Sequence, residues 1–434
     1  MIVFSPLARA VDVASSPSVS ARQDETAITL TLDQCITLAL ENNPGLQGER
    51  EKIIELENDY RIAASGLYPK VSLSAYYQRY DKDRLGIQPG MLYVEETLAL
   101  GKVRQLLFDG GKTRYSKYAA EKGAEAQKAS SEGTRLDTIF AVSQAYYRVL
   151  EARELLRVGE NSRQQREAFF KLTEAFRKAG RGTKLDSLKA EAQLLDAERS
   201  LSQAREASRL SELILKKTIG MDLRTRLLIA DVLPEAFSEP ADEETLLRNA
   251  LENNPDIKKI KLQKEQSEAA LRSAYGPFMP ELSLQGTYGY RDRDSGPGAD
   301  EWTAGVFLEW SLFEGGLTRA QAGKARSKVN QITWSEKAVK DQVQVDLREA
   351  VGNVWTALAA VKSSKRLVEA QDEAYKASVA FYKRGKSTYI EVLSSEVDLT
   401  QAKAAYVRAV GDYQNANARL NRVIGIYETG SGRI

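Results

Sequence analysis

The chain has 434 residues, with 62 Lys and Arg against 60 Asp and Glu, one cysteine and no histidine. Balanced charge leaves no electrostatic footprint for nucleic acid. The missing histidine excludes Ser-His-Asp and Cys-His nucleophile systems and His-ligated metal sites, and a single cysteine excludes CxxC redox pairs and intramolecular disulfides.

No cofactor is expected. An enzyme would have to work through carboxylates alone, and no paired-acid motif in a recognisable loop supports one. No run of about 18 apolar residues occurs, so no transmembrane helix is predicted. Residues 1–27 read as a signal remnant and flexible Ser/Pro-rich arm: Ala8-Arg9-Ala10 resembles the small-residue end of a secretory signal whose basic and apolar regions are cut short. Cys35 lies in an amphipathic helical pattern without the small residues that precede a lipidated cysteine, and reads as a small buried apolar residue.

From there the chain says the same thing twice. Leu40-Glu41-Asn42-Asn43-Pro44 returns as Leu251-Glu252-Asn253-Asn254-Pro255, about 211 positions later. Leu107-Phe108-Asp109-Gly110-Gly111 returns as Leu312-Phe313-Glu314-Gly315-Gly316, about 205 positions later, so a hairpin between the two blocks is about six residues longer in the first copy. Repeat 1 is assigned to residues 28–220, an inter-repeat linker to 221–243, repeat 2 to 244–426 and a tail to 427–434.

Each copy opens with a short helix, broken where Asn43-Pro44 or Asn254-Pro255 supplies an N-cap and a proline at the first position of the next helix. That helix runs to Pro69 or Pro280, after which the period changes to two. Val71, Leu73, Ala75 and Tyr77 alternate with Ser72, Ser74, Tyr76 and Gln78; Leu282, Leu284, Tyr288 and Tyr290 alternate with Ser283, Gln285, Thr287 and Arg291. Strands are predicted at about 70–80 and 92–108, and at about 281–291 and 302–313, with polar loops at Asp81 to Pro89 and Asp292 to Asp300. Tyr77, Tyr93, Tyr288, Tyr290, Trp302 and Trp310 suit an interfacial aromatic girdle or a soluble sandwich equally.

After each glycine pair, Gly110-Gly111 and Gly315-Gly316, a helical period runs without proline from Lys112 to Lys178 and from Leu317 to Arg384. About 67 residues at 1.5 Å each make a rod of roughly 100 Å, which implies coiled-coil packing. Each rod turns back, at a tip of about 179–184 (Gly180, Gly182) or about 384–389 (Gly385), and a return helix of about 36 residues closes a helical hairpin at 112–220 or 317–425. Lead-in and return helices stacked end to end line most of one rod. Gly111-Lys112-Thr113 has the context of a phosphate-binding loop, but the leading glycine is Leu106 and the second copy has Gly316-Leu317-Thr318, so what both copies keep is the glycine pair of a strand-to-helix corner.

Four amphipathic strands cannot close a membrane barrel alone, so several chains must: two would give eight strands, a barrel filled by side chains, and three would give twelve, with room for a lumen. The doubled Leu-Glu-Asn-Asn-Pro, the proline before each first strand, the Leu-Phe-Asp/Glu-Gly-Gly joints and Phe381-Tyr382-Lys383-Arg384-Gly385 to Ile390-Glu391-Val392-Leu393 resemble the TolC-like outer-membrane efflux and secretion channels, over nearly the whole chain from about Thr31 to Ile426. The resemblance implies a homotrimer: a twelve-stranded transmembrane β-barrel in outer-membrane lipid, continued by a mostly α coiled-coil tunnel across the periplasm. It also implies a periplasmic adaptor and an inner-membrane pump of RND, ABC or MFS type as partners, in a tripartite efflux pump or type I secretion system. Acidic residues after each turn glycine constrict the tunnel entrance in that family, and the matching positions are Asp186 and Glu391, which also fit ordinary first-turn carboxylates. This chain departs from the family at Ser394, one turn on, and at Arg181 and Lys386 directly after the turn glycines. Arg181, Lys184, Tyr382, Arg384 and Lys386 are assigned to a tip latch or an adaptor contact, the cations pairing with the two carboxylates. The competing reading is a periplasmic coiled-coil adaptor or scaffold with a soluble β-domain.

Overall fold

A computed structural model describes residues 28–80, 95–234, 236–293, 296–429 and 432–433. The expected N-terminal arm, the loop from Asp81 to Pro89 and Tyr93 lie outside the described residues. The first elements are β1 (Ile28–Leu30), α1 (Leu32–Asn42), α2 (Pro44–Ser65), β2 (Lys70–Arg79), β3 (Glu95–Phe108), α3 (Lys112–Lys178) and α4 (Lys184–Thr218). After β4 (Leu227–Ile229) the same order returns as α5 (Glu243–Asn253), α6 (Pro255–Tyr275), β5 (Glu281–Arg293), β6 (Gly296–Glu309), α7 (Leu317–Lys383) and α8 (Tyr389–Ile424). Asn43 and Asn254 set the helix breaks: the Oδ1 of each accepts a backbone N–H, from Gly45 at 2.8 Å and from Asp256 at 2.9 Å, while the following proline has no N–H to lose.

The four long strands form one antiparallel sheet in the order β2-β3-β5-β6. Its register lines up Val71 with Val103, Leu73 with Gly101, Leu284 with Val306, Leu282 with Leu308 and Tyr288 with Trp302, so one face is mostly apolar, with Gln105 among these residues and Thr97 and Asp300 toward the outer end. Ser72, Ser74, Lys102, Arg104, Gln285, Thr287, Thr303 and Glu309 occupy the other. The apolar face is bare: Leu73 is 80% and Trp302 73% exposed. A soluble sandwich would lay a second sheet over such a face, and none of the described elements does.

Two strand boundaries differ from the expectation. Pairing continues through the expected loop, with Tyr290 opposite Asp300 and Arg293 opposite Gly296, because backbone ladders need no apolar side chains. At the other end β6 stops at Glu309, opposite Glu281, rather than at Phe313, since β5 has no residue left to pair. Trp310 to Phe313 are therefore exposed coil.

The helices interlock the copies more than a self-contained three-helix unit would. On the sheet side of the rods the neighbours run α2, α3, α6, α7; on the far side they run α4, α3, α8, α7. α3 thus touches helices of both copies, whereas α4 packs on α3 through a stripe of Ser187, Ala190, Ala197, Leu201, Ser208 and Ser211. The outer flank of α4 exposes Leu185, Leu188, Leu195 and Leu210, and α7 exposes Trp334, Trp355 and Leu367.

A belt crosses the middle of the rods, and part of the expected linker is a strand within it. β1 pairs in parallel with β4, the Tyr146 hydroxyl donates to Asp231 at 2.5 Å, and the Tyr413 hydroxyl donates to the Ser238 carbonyl at 2.8 Å. Leu233 packs against both hydrophobic cores, one built on α3 with α1 and the other on α7 with α5 and α8. Cys35 sits fully buried in the first core, where burial, with the nearby Asp231 charge, pushes its thiol up to about 12.

The register yields a direct test of the bare face. Val306→Arg places a charge where lipid is expected, midway between Trp302 and Trp310, at a cost of about 2–4 kcal/mol near mid-membrane, while Glu309→Arg stays on the polar face. Folding into lipid vesicles, read by protease protection of the strands, is expected to fail for Val306→Arg only. Equal folding of both variants would remove the lipid-facing assignment.

Candidate functional site

Both hairpin tips are built alike. In the first, Gly180 takes φ +69° and the Arg181 N–H donates to the Phe176 carbonyl at 2.8 Å; in the second, Gly385 takes φ +71° and the Lys386 N–H donates to the Phe381 carbonyl at 2.9 Å. These left-handed positions require glycine for the rods to stop and reverse. Thr183 and Thr388 then cap the return helices.

Asp186 and Glu391 are the third residues of those helices, and their carboxylates turn back onto the caps. The Thr183 hydroxyl donates to Asp186 Oδ2 at 2.7 Å, and Glu391 Oε2 accepts from the Thr388 N–H at 3.2 Å and the Ser387 hydroxyl at 2.5 Å. The Ser387 hydroxyl, helped by the Thr388 N–H, holds the Glu391 carboxyl below the usual carboxylate range. Within one chain these capping bonds take one oxygen of each carboxylate, and among the described residues no ion pair joins them to Arg181, Lys184, Arg384 or Lys386. Arg181 instead lies over the Phe176 ring, 5.9 Å from its centroid. Near the first tip Arg177 grips Glu174 at 2.9 Å, which together with Ser187 brings that carboxyl down to about 2.

Tyr382 faces the other hairpin. Its ring lies 5.2 Å from Phe169 and 5.9 Å from Phe176, and Phe169 also meets Tyr389 at 5.5 Å. Burial, with a smaller push from the Asp186 charge, raises the Tyr382 phenol. The tips are thus joined by an aromatic seam between α3 and the α7-α8 hairpin.

The strand-to-helix joints are structural. Pro69 and Pro280 precede β2 and β5, and Gly111 and Gly316 take φ +86° and +87° as N-caps. The Asp109 carboxylate accepts the N–H groups of Gly111 at 3.1 Å and Thr113 at 2.7 Å, which fills the donors a phosphate would need. Gly110 lies against the turn before Pro280, where a Cβ would come within 2.4 Å of the Gly276 carbonyl oxygen, while Gly315 is open.

One feature escapes the motifs. About twelve residues above the tips, Arg166 Nε of α3 meets Glu396 Oε2 of α8 at 3.0 Å, and Glu396 is only 4% exposed. Ser162 donates to Glu396 at 2.7 Å, and Arg166 Nη1 donates to the Gln193 carbonyl of α4 at 3.1 Å. Three helices are pinned at one point. The signal was present as a break in the duplication: the positions about 205 away are Gln371 and Glu191, so no second pair exists.

The Outer membrane efflux protein family matches residues 35–221 and 246–426, each segment holding one hairpin and its tip. The chain belongs to the outer membrane efflux protein family. It is 24% identical over 410 residues to the outer membrane efflux protein BepC of Brucella suis, covering 92% of this chain and 86% of that one. It is also 24% identical over 405 residues to the outer membrane protein TolC of Vibrio cholerae, covering 89% of each. The crystal structure of the Campylobacter jejuni CmeC outer membrane channel shares the fold with a TM-score of 0.82 at 17% identity, covering 97% of this chain and 94% of that one.

In this efflux protein the buried pair is open to measurement. Glu396→Ala leaves a buried guanidinium unmatched and is expected to cost about 3–5 kcal/mol, seen as a lower thermal midpoint in detergent. Replacing both partners, Arg166→Met with Glu396→Leu, should recover much of that loss. An unchanged midpoint for Glu396→Ala would show that the pair carries no weight.

Proposed function

We propose that three copies of this outer membrane efflux protein close into one duct, a twelve-stranded barrel through the outer membrane continued by a helical tunnel in the periplasm. The observation that carries this is that sheet and helices are open on the same two sides. β2 and β6 are unpaired edges, and below them α2 and α4 flank one side and α7 the other. Leu188, Leu195 and Leu210 on α4 supply an apolar surface for the Trp355 and Leu367 flank of α7 in the next copy. A lone sheet in lipid would leave both edges unsatisfied, and a threefold ring of four-stranded sheets removes every edge. Two tandem repeats per chain make about six similar units around the axis.

The duct is passive, and transport energy comes from an inner-membrane transporter joined through a periplasmic adaptor. The hairpin tips are the end that faces those partners. There Asp186 and Glu391 line the entrance, and Arg181, Lys184, Arg384 and Lys386, unpaired with these carboxylates within a chain, meet the neighbouring copy or the adaptor. Tyr382 contributes through the aromatic seam. The adaptor reading with a soluble β-domain lacks support, since the strands' apolar face is bare and the family match spans both halves of the chain.

Native mass spectrometry in mild detergent is expected to show trimers, and a dominant monomer would remove the closed barrel. At the tips, Asp186→Ala with Glu391→Ala should lower cation selectivity in planar bilayers, because three copies bring six carboxylates about a narrow axis. Unchanged reversal potential and conductance would leave both residues as helix caps alone.

A further inference from the structure

Assuming the closed barrel proposed above, the polar face of the sheet lines its lumen, and besides the covered or half-covered Leu98, Leu100 and Leu106 that face holds an exposed phenylalanine. Phe307 points to the polar side between Gly305 and Glu309, opposite Ser283, and is 52% exposed. On the same face most cations are engaged: Arg104 with Glu281 at 2.6 Å, Arg291 with Glu301 at 2.8 Å and Arg293 with Glu96 at 3.0 Å. Lys102 is exposed and, among the described residues, has no carboxylate partner, as is Lys70 at the inner end of β2.

The repeat offset puts these two odd side chains at equivalent places. Lys102 and Phe307 are about 205 positions apart, the spacing that relates the glycine pairs at the ends of the same strands. In a threefold barrel of six similar units they stand at one height and alternate around the wall, about 16 Å apart, two strands across and four residues along from one to the next. The seam between copies adds to this. β3 sets Lys102 opposite Thr287 of β5, and the same register carried to β6 and the β2 of the next copy sets Phe307 opposite that copy's Tyr76. Tyr76 is itself on the polar face, its hydroxyl fixed on Glu96 at 3.2 Å, with the ring 38% exposed.

We infer that the barrel lumen carries a contact ring for amphiphilic anions, in which Lys102 takes the anionic group and the Phe307 and Tyr76 rings take the apolar body. A lumen wall of serine, threonine, paired charges and largely covered leucines offers such a solute little to hold. An unpaired ammonium beside an aromatic patch offers both halves of its chemistry. The ring would favour passage of anions with an apolar body over equally charged compact ones, by raising their local concentration in the barrel.

Single trimers in planar bilayers test this with 2-naphthalenesulfonate and methanesulfonate as probes. The naphthyl anion should produce resolvable current blocks and methanesulfonate none. Phe307→Ser should shorten the blocks by about fivefold or more without moving the reversal potential, since a ring contact of this kind is worth roughly that factor. Phe307→Tyr should retain them. Lys102→Gln should shorten them and shift the reversal potential toward cations. Blocks that persist unchanged in both Phe307→Ser and Lys102→Gln, while the channels conduct normally, would overturn the ring and leave the barrel standing. Absence of any channel from the unmodified protein would overturn the barrel, and the ring with it.

Discussion

Backbone hydrogen bonding in lipid governs this molecule more than any side chain does. A four-stranded meander leaves one row of N–H and C=O groups bare on β2 and another on β6, and hydrocarbon offers them no partner. No change of side chain removes that cost; only another strand does. The helices below obey the same geometry, since each strand delivers or receives a helix through a fixed corner, and the order of strands is copied into the order α2, α3, α6, α7. The open sides of the tunnel wall lie under the open sides of the sheet for this reason.

Duplication solves the wall and divergence places the exceptions. Where both copies need the same backbone device, the same residues recur: Asn-Pro at the first break, paired glycines at the corner, a glycine and a threonine cap at the tip. Where the copies differ, the difference is chemical. Arg166 and Glu396 have no counterpart pair, and Phe307 stands where the first copy has Lys102. A sixfold wall assembled from three chains can thus alternate two chemistries at one level, which a strictly sixfold wall cannot.

Most of the architecture was legible because it rests on local rules. The change from a helical to a twofold period after Pro69 and Pro280 marked the strands, and the long proline-free stretches marked the rods. What remained hidden depends on partners far apart in sequence. The end of β6 at Glu309 is set by where β5 begins, and β4 lies in an expected linker because its partner is β1, about 200 residues earlier. Glu396 looked like any helix carboxylate until Arg166 and Ser162 were seen around it. Asp186 and Glu391 were visible as candidates from their place after the turn glycines, yet their capping bonds follow from N-terminal helix geometry as much as from any channel role.

The tip geometry separates two jobs that a simple acidic gate would merge. Capping carboxylates bond within their own helix starts, so these bonds would travel with a hairpin that moves as a unit and would resist nothing. Resistance to parting the two hairpins lies instead where α3 meets α7 and α8, in the Phe169, Phe176, Tyr382 and Tyr389 rings and, deeper, in the Arg166–Glu396 contact. Parting the rings exposes apolar surface, whereas separating the buried charges would leave each unmatched. Separating the two hairpins is therefore costlier at the level of Glu396 than at the tip, where Glu391 bonds only within its own helix start.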